Sequence, residues 1–320
     1  MNEGLDFDDI LILPRPSRVI SRSDVDLSVN LVNLKLKIPV IAAPMKGIVS
    51  PDLIIELSRL GGIGILHRFY ENYDGWLCDV YRISKSAKKF GVAVGLNSNY
   101  YRDAAGLGAN IICVDVANGY TENVLRYCNE VANYLSTRNN SEILLMAGNV
   151  ATADGFSNLI DNGVDLVRVG IGSGTLCITR NMTGIGCPQI TAIKNCLITK
   201  QAYIVADGGI RNSGDAVKAL AAGADIVMLG TLLAQTYESS HNGIIYGMAS
   251  RKLQEEYYHS VKSVEGLEKE MTKTISLEDF IDEFIWGIKS ACTYLDAYNL
   301  DDLRKNAVFI KVGAGSLKKL

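Results

Sequence analysis

The sequence predicts an α/β protein folded as a (β/α)8 TIM barrel, and two observations lead to this prediction. Short apolar runs recur eight times at roughly even spacing, and amphipathic segments of helical period separate them. Strands that alternate with helices form a parallel sheet, and eight such units close naturally into a barrel. A doubly wound open sheet is the alternative, but its glycine fingerprint is absent near the N-terminus.

The predicted strands are continuous apolar runs, as expected for parallel strands buried on both faces. In chain order they are Ile38–Ala43, Gly62–His67, Gly91–Leu96, Ile111–Val116, Glu142–Ala147, Leu166–Ile171, Ala202–Ala206 and Ile226–Leu229. The predicted helices between them carry an apolar stripe at helical spacing. They are Asp52–Leu60, Asp74–Lys89, Tyr100–Leu107, Thr121–Ser136, Ala153–Asn162, Pro188–Thr199 and Ser213–Ala222.

Several of these predicted helices begin or end at residues that commonly cap helices. Ser50 before Pro51, and also Thr152, are N-cap candidates. Gly163 and Gly223 each follow a helix and lead into the next strand, as a glycine C-cap does. These signals agree with the alternation of strands and helices.

Residues 235–277 interrupt the regular pattern after the eighth strand. No helix follows that strand immediately, and the segment is rich in Tyr, Lys and Glu until the final amphipathic stretch, Leu277–Ala291. A loop of this length is usually a lid or a disordered insert, so we expect a lid here. His241 and His259 in the lid are expected to be solvated, whereas His67 is expected to lie in the core or at its rim.

Composition excludes several classes of function. The 320 residues carry a net charge of −3 with scattered basic residues, so a nucleic-acid partner is not expected. Seven cysteines, an odd number without C-x-x-C spacing, argue against a structural zinc site or a disulfide framework. The chain has no 18-residue apolar run and no signal-type apolar core at its start, so we expect a cytoplasmic protein without a membrane partner.

The most informative stretch follows the sixth strand. Gly170, Gly172 and Gly174 alternate with other residues there, and Cys177 comes three residues after the last of them. Glycines permit positive φ and let a ligand approach the backbone closely. A thiol on such a loop, at the carboxyl end of a barrel strand, is well placed as a covalent nucleophile. The alternative is that Cys177 is a small buried hydrophobe.

Two further loops predict a phosphate site. Asp207-Gly208-Gly209 follows the seventh strand, and Gly230-Thr231 follows the eighth. Loops at these two places commonly bind phosphate in barrel enzymes, through backbone N–H groups and a helix N-terminus. Tight turns alone are the alternative, but both loops have the feature together.

Several motifs, taken together, point to a family. They are Leu5–Pro14, Met146–Val150, Gly170–Arg180, Thr183–Gln189, Ala206–Arg211 and Tyr246–Met248. In this order they resemble the motifs of the IMP dehydrogenase/GMP reductase family along nearly the whole chain. The resemblance agrees with the barrel and the phosphate site reached from the residues alone.

Other features favour the reductase branch of that family. Dehydrogenases usually insert a pair of regulatory domains after the second strand, whereas residues 68–90 leave room for one helix. The Arg-Tyr pair of the dehydrogenase lid is absent between Met248 and Glu265. Ile178, in place of a threonine, and the short lid depart from the reductase pattern. Three segments resemble the reductase versions, 21–27, 115–120 and 290–294. We therefore expect one catalytic domain over residues 1–320, without a regulatory insert.

The resemblance implies NADPH-dependent reductive deamination of GMP to IMP and ammonia. In this reaction Cys177 would attack C2 of the purine, while Thr179 and Glu265 would form the relay that protonates the departing amine. A solvated lid glutamate is the alternative for Glu265. The alternative functions are an IMP dehydrogenase lacking regulatory domains and a non-catalytic purine-nucleotide-binding barrel. A flavin barrel enzyme would have no need of Cys177.

The resemblance also implies the binding residues. Those for the nucleotide (GMP or IMP) are Met45, Asn149, Asp207, Gly208, Gly209, Gly230, Thr231, Gly247, Met248 and Ala249. Those for the dinucleotide are Ser21, Arg22, Arg68, Asp115, Val116, Ala117, Ser290, Ala291, Cys292 and Thr293. Residues 290–293 would come across a subunit boundary of a homo-oligomer, expected to be a tetramer. Arg22 and Arg68 would pair with a 2′-phosphate, which favours NADPH over NADH. Carbonyls of Gly172, Gly174 and Cys177 would hold a monovalent cation, usually potassium (K+).

Overall fold

The structure of the chain is a computed structural model that describes residues 3–137 and 142–313. Residues 1–2, 138–141 and 314–320, which belong to the single domain predicted above, lie outside the described residues. The strands of the described part are β1 Ile10–Ile12, β2 Val29–Leu31, β3 Leu34–Leu36, β4 Val40–Ala42, β5 Ile63–Leu66, β6 Gly91–Val94, β7 Ile111–Asp115, β8 Leu144–Val150, β9 Leu166–Val169, β10 Tyr203–Asp207, β11 Ile226–Leu229, β12 Ile244–Tyr246, β13 Glu268–Glu270 and β14 Phe309–Lys311.

The α-helices of the same part follow the barrel strands in alternation. They are α1 Pro51–Leu60, α2 Tyr73–Ser86, α3 Tyr100–Gly106, α4 Glu122–Thr137, α5 Ala153–Asp161, α6 Thr179–Thr183, α7 Gln189–Leu197, α8 Ser213–Ala222, α9 Arg251–Leu253, α10 Leu277–Tyr294 and α11 Leu300–Asn306. Short 3-10 turns lie at Phe7–Asp9, Arg22–Asp24 and Thr231–Gln235, and a π-helical turn lies at Gln254–Tyr258.

The predicted (β/α)8 barrel is confirmed. Strands β4 to β11 close into a barrel in the order β10-β11-β4-β5-β6-β7-β8-β9, and every neighbouring pair is parallel. Each of the eight predicted strands corresponds to one barrel strand. The largest boundary error concerns β8, predicted as Glu142–Ala147, because the strand continues through the polar residue Asn149 to Val150.

The helix boundaries follow from the predicted caps. The Ser50 side chain accepts a hydrogen bond from Leu53 N, and Pro51 occupies the first turn of α1. The Thr152 side chain likewise accepts from Gly155 N at the start of α5. Gly163 has φ +83° and Gly223 has φ +125°, conformations that favour glycine. The polypeptide can therefore turn sharply from each helix into the next strand.

Elements outside the barrel were not predicted. The β2–β3 hairpin buries Leu31 and Leu36 completely, and Val32 N donates to Tyr203 Oη at the start of β10. The hairpin therefore lies at the amino-terminal end of the barrel. Strand β1 pairs with β14, and the preceding turn buries Phe7. These pairings join segments far apart in sequence, and local pattern does not reveal such contacts.

The segment expected to be a lid contains regular structure that the sequence did not predict. A 3-10 turn, Thr231–Gln235, follows β11 directly, and β12 pairs antiparallel with β13 within residues 235–277. Strand β13 consists of three exposed charged residues, so it shows no apolar pattern. Pairing with β12 alone makes it a strand.

The described helices were also compared with the requirements of a membrane span. Among residues 3–137 and 142–313, no helix combines the length and apolar character needed to cross a bilayer.

Candidate active site

The loop after β9 carries the predicted nucleophile, and neighbouring elements hold both of its ends. Gly170 has φ +148°, and a Cβ there would lie 2.1 Å from Asp207 O, so only glycine allows this close approach. Gln189 is fully buried and donates from Nε2 to Val169 O at 2.7 Å and to Asp207 O at 3.3 Å. The loop between Gly170 and Gln189 is thereby fixed against the ends of β9 and β10.

Within this loop the three predicted catalytic side chains form one hydrogen-bonded chain. Cys177 Sγ lies 3.2 Å from Thr179 Oγ1 and donates to it. Thr179 Oγ1 in turn donates to Glu265 Oε2 at 2.8 Å. The three groups are half-buried, so water only partly screens them. A proton can pass along this chain between the thiol and the carboxylate.

Glu265 reaches the loop because the backbone on both of its sides is paired. Ile178 N donates to Glu265 O at 2.9 Å, and Leu267 N donates to Leu176 O at 2.8 Å. Gly266 between them bridges Cys177 on one side and Ser250 on the other. The lid segment is therefore bonded directly to the cysteine loop. A freely solvated Glu265, the alternative considered above, does not match this arrangement.

Five of the other cysteines lie in surroundings that disfavour a thiolate. Burial raises the pKa of Cys187, and the thiols of the core cysteines have pKa values well above their usual range. Burial places these values at about 12 for Cys113, Cys128 and Cys196 and about 11 for Cys292. Such thiols stay protonated and inert at neutral pH.

The predicted nucleotide residues surround the mouth of the barrel. Gly208 and Gly209 have φ of +96° and +81°, and a Cβ on Gly208 would lie 2.6 Å from Ser173 Oγ in the cysteine loop. Gly230 packs against Met45, since a Cβ there would lie 2.7 Å from its sulfur. The remaining predicted nucleotide residues lie on the segments after β11 and β12; they are Thr231, Gly247, Met248 and Ala249.

A buried charge network joins two of the predicted binding residues. Arg168, in β9, donates from Nη1 to Asp115 Oδ1 at 2.6 Å and from Nη2 to Asp207 Oδ2 at 2.8 Å. Asn149 Nδ2 also donates to Asp207 Oδ2 at 2.8 Å. Sequence reasoning missed Arg168, although one signal was present. A cation inside an otherwise apolar strand needs a buried partner.

The first group of predicted cofactor residues lies beside this network. Arg68 Nε is 3.6 Å from Asp115 Oδ2, and its guanidinium lies 4.3 Å from the centre of the Phe69 ring. Arg68 Nε is buried and makes no hydrogen bond with the described residues, and its charge is paired with Asp115. A guanidinium suits a phosphate or another anionic ligand group. Val116 and Ala117 follow Asp115 and are progressively more exposed.

The second group of predicted cofactor residues lies elsewhere on the chain. Helix α10 begins where Leu277 N donates to Glu238 Oε2, beside the segment after β11. It is 18 residues long, so it spans about 27 Å. Residues 290–293 are in its last turns, and the turn that contains Ser21 and Arg22 packs against this helix. Among the described residues, no hydrogen bond or ion pair joins this second group to Arg68 or Asp115 within one chain.

The carbonyls predicted to hold a cation lie in the cysteine loop. Gly174 O accepts a hydrogen bond from Cys177 N at 2.9 Å, and Gly172 has φ +72°. Potassium binds neutral carbonyl oxygens, and this half-buried loop offers oxygen ligands of that kind. Among the described residues, no cluster of three His, Cys, Asp or Glu side chains offers an alternative metal site.

The histidine expectations were partly wrong. His241 is 5% exposed and therefore buried, not solvated, since Nε2 bonds Ala234 O at 2.5 Å and Nδ1 accepts from Gly243 N. These bonds fix the start of the lid segment. His259 is exposed and His67 is buried, as expected.

Comparison with known proteins identifies the family. The profile of the IMP dehydrogenase/GMP reductase domain matches residues 4–319. The chain belongs to this family. A GMP reductase of Onchocerca volvulus is 34% identical over 96% of this chain and 91% of its own length, and GMP reductase 1 of Mus musculus is 31% identical over 96% and 95%. An inosine-5′-monophosphate dehydrogenase of Cryptosporidium parvum is 28% identical over 100% and 94%.

Proposed function

We propose that this chain is an NADPH-dependent GMP reductase, which converts GMP to IMP and ammonia. The observation that carries the proposal is the hydrogen-bonded chain from Cys177 through Thr179 to Glu265. The similarity to GMP reductases over 96% of the chain supports it independently. The first line of support favours catalysis over nucleotide binding alone, and the second favours the reductase over the dehydrogenase.

The reaction begins with the thiol of Cys177. The Cys177 thiol first passes its proton through Thr179 to Glu265. Sγ, now a thiolate, attacks C2 of the purine and forms a carbon–sulfur bond, and the C2–N bond to the amino group breaks. Thr179 passes a proton from Glu265 to the departing amine, which leaves as ammonia. The carbon–sulfur bond then breaks as C2 is reduced, which returns the thiolate and releases IMP. Two easier steps replace one difficult displacement.

The hydride for this reduction comes from NADPH when it is bound. Arg68 and Asp115, which lie 3.6 Å apart after β5 and at the end of β7, would hold one part of the dinucleotide. Arg22 and residues 290–293 of a neighbouring subunit would hold the remainder. We further propose that a potassium ion on the carbonyls of Gly172, Gly174 and Cys177 steadies the loop.

The nucleotide would occupy the mouth of the barrel. Backbone N–H groups of Gly208, Gly209, Gly230 and Thr231 suit its phosphate. Asp207 and Asn149 suit the ribose hydroxyls, and Met45 with residues 247–249 would flank the base. We also propose that residues 1–320 form one catalytic domain that works in the cytoplasm as a homo-oligomer, expected to be a tetramer.

The runner-up is an IMP dehydrogenase, and the observation in its favour is the 28% identical dehydrogenase relative. Two features weigh against it. Only α2 and its flanking turns lie between β5 and β6, where dehydrogenases usually carry regulatory domains. The lid also lacks the Arg-Tyr pair that activates water in dehydrogenases.

Absorbance at 340 nm tests the proposal. Purified protein given GMP and NADPH should consume the cofactor and release one ammonia per NADPH oxidised. A gain of absorbance with IMP and NAD+, without the first reaction, would establish the dehydrogenase instead. Nucleotide binding with no turnover in either direction would leave only the non-catalytic barrel.

Replacing potassium with sodium in the same assay tests whether the proposed cation site needs potassium.

A further inference from the structure

Arg168 is a buried cation in a strand that is otherwise apolar. Its side chain is 9% exposed, and the other residues of β9, Leu166, Val167 and Val169, are fully buried. Burying a charge is costly unless the charge is paired and hydrogen-bonded. Arg168 is paired with two carboxylates, Asp115 from β7 and Asp207 from β10, through hydrogen bonds from all three guanidinium nitrogens. A purely apolar residue would fill this position at lower cost, so the charge calls for a functional explanation.

The neighbouring strand leaves space for this side chain. Gly148, on β8 between β7 and β9, faces Arg168, and a Cβ at position 148 would lie 2.6 Å from both Arg168 Cβ and Arg168 O. Position 148 therefore has no room for a side chain beside the start of the Arg168 side chain. On the β7 side, Cys113 Sγ lies 3.7 Å from Arg168 Nη1.

Each carboxylate bonds Arg168 through one oxygen and keeps the other for a different partner. Asp207 receives Arg168 and Asn149 on Oδ2, and no hydrogen bond from the described residues reaches Oδ1. Asp115 receives Arg168 on Oδ1, while Oδ2 faces Arg68 at 3.6 Å. The negative charges of the two carboxylates balance the positive charges of the two arginines. The side chains of Asp207 and Asp115 remain slightly exposed, at 14% and 12%. A ligand can therefore reach each of them.

We propose that Arg168 is a positioning residue that fixes the nucleotide site at Asp207 and the dinucleotide site at Asp115 at the same time. The inference rests on the proposed function, which assigns those two carboxylates to two different ligands. In this role Arg168 acts through the two carboxylates that it bonds. The planar fork of a guanidinium can hold both carboxylates in fixed directions, whereas a lysine ammonium is a single point charge.

Separate binding titrations test this role. GMP is titrated by calorimetry and NADPH by fluorescence, each in the absence of the other, so no turnover occurs. We expect Arg168→Gln to weaken both affinities by about tenfold or more, because two carboxylates lose their partner. Arg168→Lys should weaken both to a smaller extent. Asp207→Asn should weaken GMP alone, and Asp115→Asn should weaken NADPH alone.

Arg304→Gln is the matched control for a merely structural effect. Arg304, in α11, also pairs with a buried carboxylate, donating to Asp225 Oδ1 at 3.3 Å, away from the mouth of the barrel. This variant should lower the thermal midpoint of unfolding and leave both affinities unchanged. If Arg168→Gln fails to fold, Arg168→Lys carries the test.

The possible results separate the two proposals. The positioning role alone would be overturned if the wild-type protein binds both ligands and an Arg168 variant loses affinity for only one of them or for neither. Wild-type protein that binds neither GMP nor NADPH would overturn the proposed function and this inference with it.

Discussion

At the scale of single residues, Cys177 and Cys187 offer a direct comparison within one loop. Cys177 donates to Thr179, whereas burial raises the pKa of Cys187. We expect Cys177→Ala to abolish turnover and leave GMP affinity within about tenfold, roughly 1.4 kcal/mol. Cys187→Ala should keep most of the activity. Steady-state rates and calorimetry of both variants measure this, and equal activity of the two variants would contradict covalent catalysis by Cys177.

Glu265 is the next residue whose role can be tested. Gln at position 265 keeps the shape of the side chain and can still accept from Thr179, but it cannot take up or release a proton. Loss of a proton relay typically costs 10²–10⁴-fold, so we expect Glu265→Gln to lower kcat by about that factor. KM for GMP should change little, the pattern of an interaction made in the transition state. An unchanged kcat would remove Glu265 from the relay.

His67 makes a prediction about pH and stability. Burial, with a smaller contribution from the charge of Lys46, lowers the pKa of His67 from 6.5 to about 3. The unfolded chain therefore binds a proton below about pH 6.5 that the folded chain excludes, and the free energy of unfolding falls as pH drops from 6.5 towards 3. Between pH 7 and pH 5 this group alone should cost about 2 kcal/mol.

His67→Asn tests this pH effect, because its Oδ1 can accept the hydrogen bond that Phe69 N donates to His67 Nδ1. Urea unfolding at pH 5 and pH 7 should show a smaller pH-dependent loss of stability in His67→Asn than in the wild type. The same loss in both proteins would show that His67 is protonated in the folded state.

Arg168 shows why part of the site escaped prediction at this scale. Cys177, Thr179, Asp207 and the glycines lie in short motifs whose spacing along the chain carries the signal. The partners of Arg168 are 53 and 39 residues away in sequence, and only barrel closure brings them into contact. The positive charge in β9 predicts a buried partner but not its identity.

At the scale of elements, predictability depended on how local the pattern was. The barrel strands and their helices were predicted because each has its own apolar pattern and caps. Strand β13 has only charged, exposed residues and is defined by its pairing with β12. The contact between Glu265 and Thr179 also depends on pairing between distant segments. The two residues are 86 positions apart, and backbone pairing of the lid with the cysteine loop brings them together.

Gly266 is where this pairing can be tested. It bridges Cys177 and Ser250, and an added Cβ would lie 2.8 Å from Ser250 N, a backbone atom that cannot move aside easily. Gly266→Ala should push the lid away from the cysteine loop and lower kcat by up to about 100-fold, because catalysis is sensitive to displacements near 1 Å. The control is Gly106→Ala in α3, where a Cβ meets no atom within 4 Å. Normal kcat in Gly266→Ala would mean that the pairing does not position Glu265.

At the scale of the whole molecule, the two groups of predicted cofactor residues bear on the proposed homo-oligomer. Arg68 and Asp115 lie at the carboxyl ends of the barrel strands, near Cys177. Arg22 packs beside α10, whose far end meets the chain near the β2–β3 hairpin, since Asp26 N donates to Tyr298 O. That hairpin lies at the amino-terminal end of the barrel. We therefore expect a dinucleotide that touches both groups to bridge two subunits of the proposed oligomer.

Mixed oligomers provide the test of this assembly. Arg22→Glu places a negative charge where the cofactor phosphates would lie, and Arg22 is exposed, so we expect it to abolish activity without unfolding the chain. Cys177→Ala chains are inactive for a different reason. If a site takes Cys177 from one chain and Arg22 from its neighbour, co-expression of the two variants creates sites with both residues intact. Mixed oligomers, isolated with two affinity tags, should then recover roughly a quarter of the wild-type rate of NADPH oxidation if the chains assort at random.

The matched control pairs Cys177→Ala with Glu265→Gln. Cys177 and Glu265 are joined through Thr179 within one chain, so no exchange of subunits restores a complete relay. This mixture should stay as inactive as its components. Because it contains the same Cys177 variant and is purified with the same tags, any recovery seen only with Arg22→Glu must come from sharing residues between chains. Failure of the Arg22→Glu mixture to recover activity, with the mixed oligomer present, would instead place the whole cofactor site on a single chain.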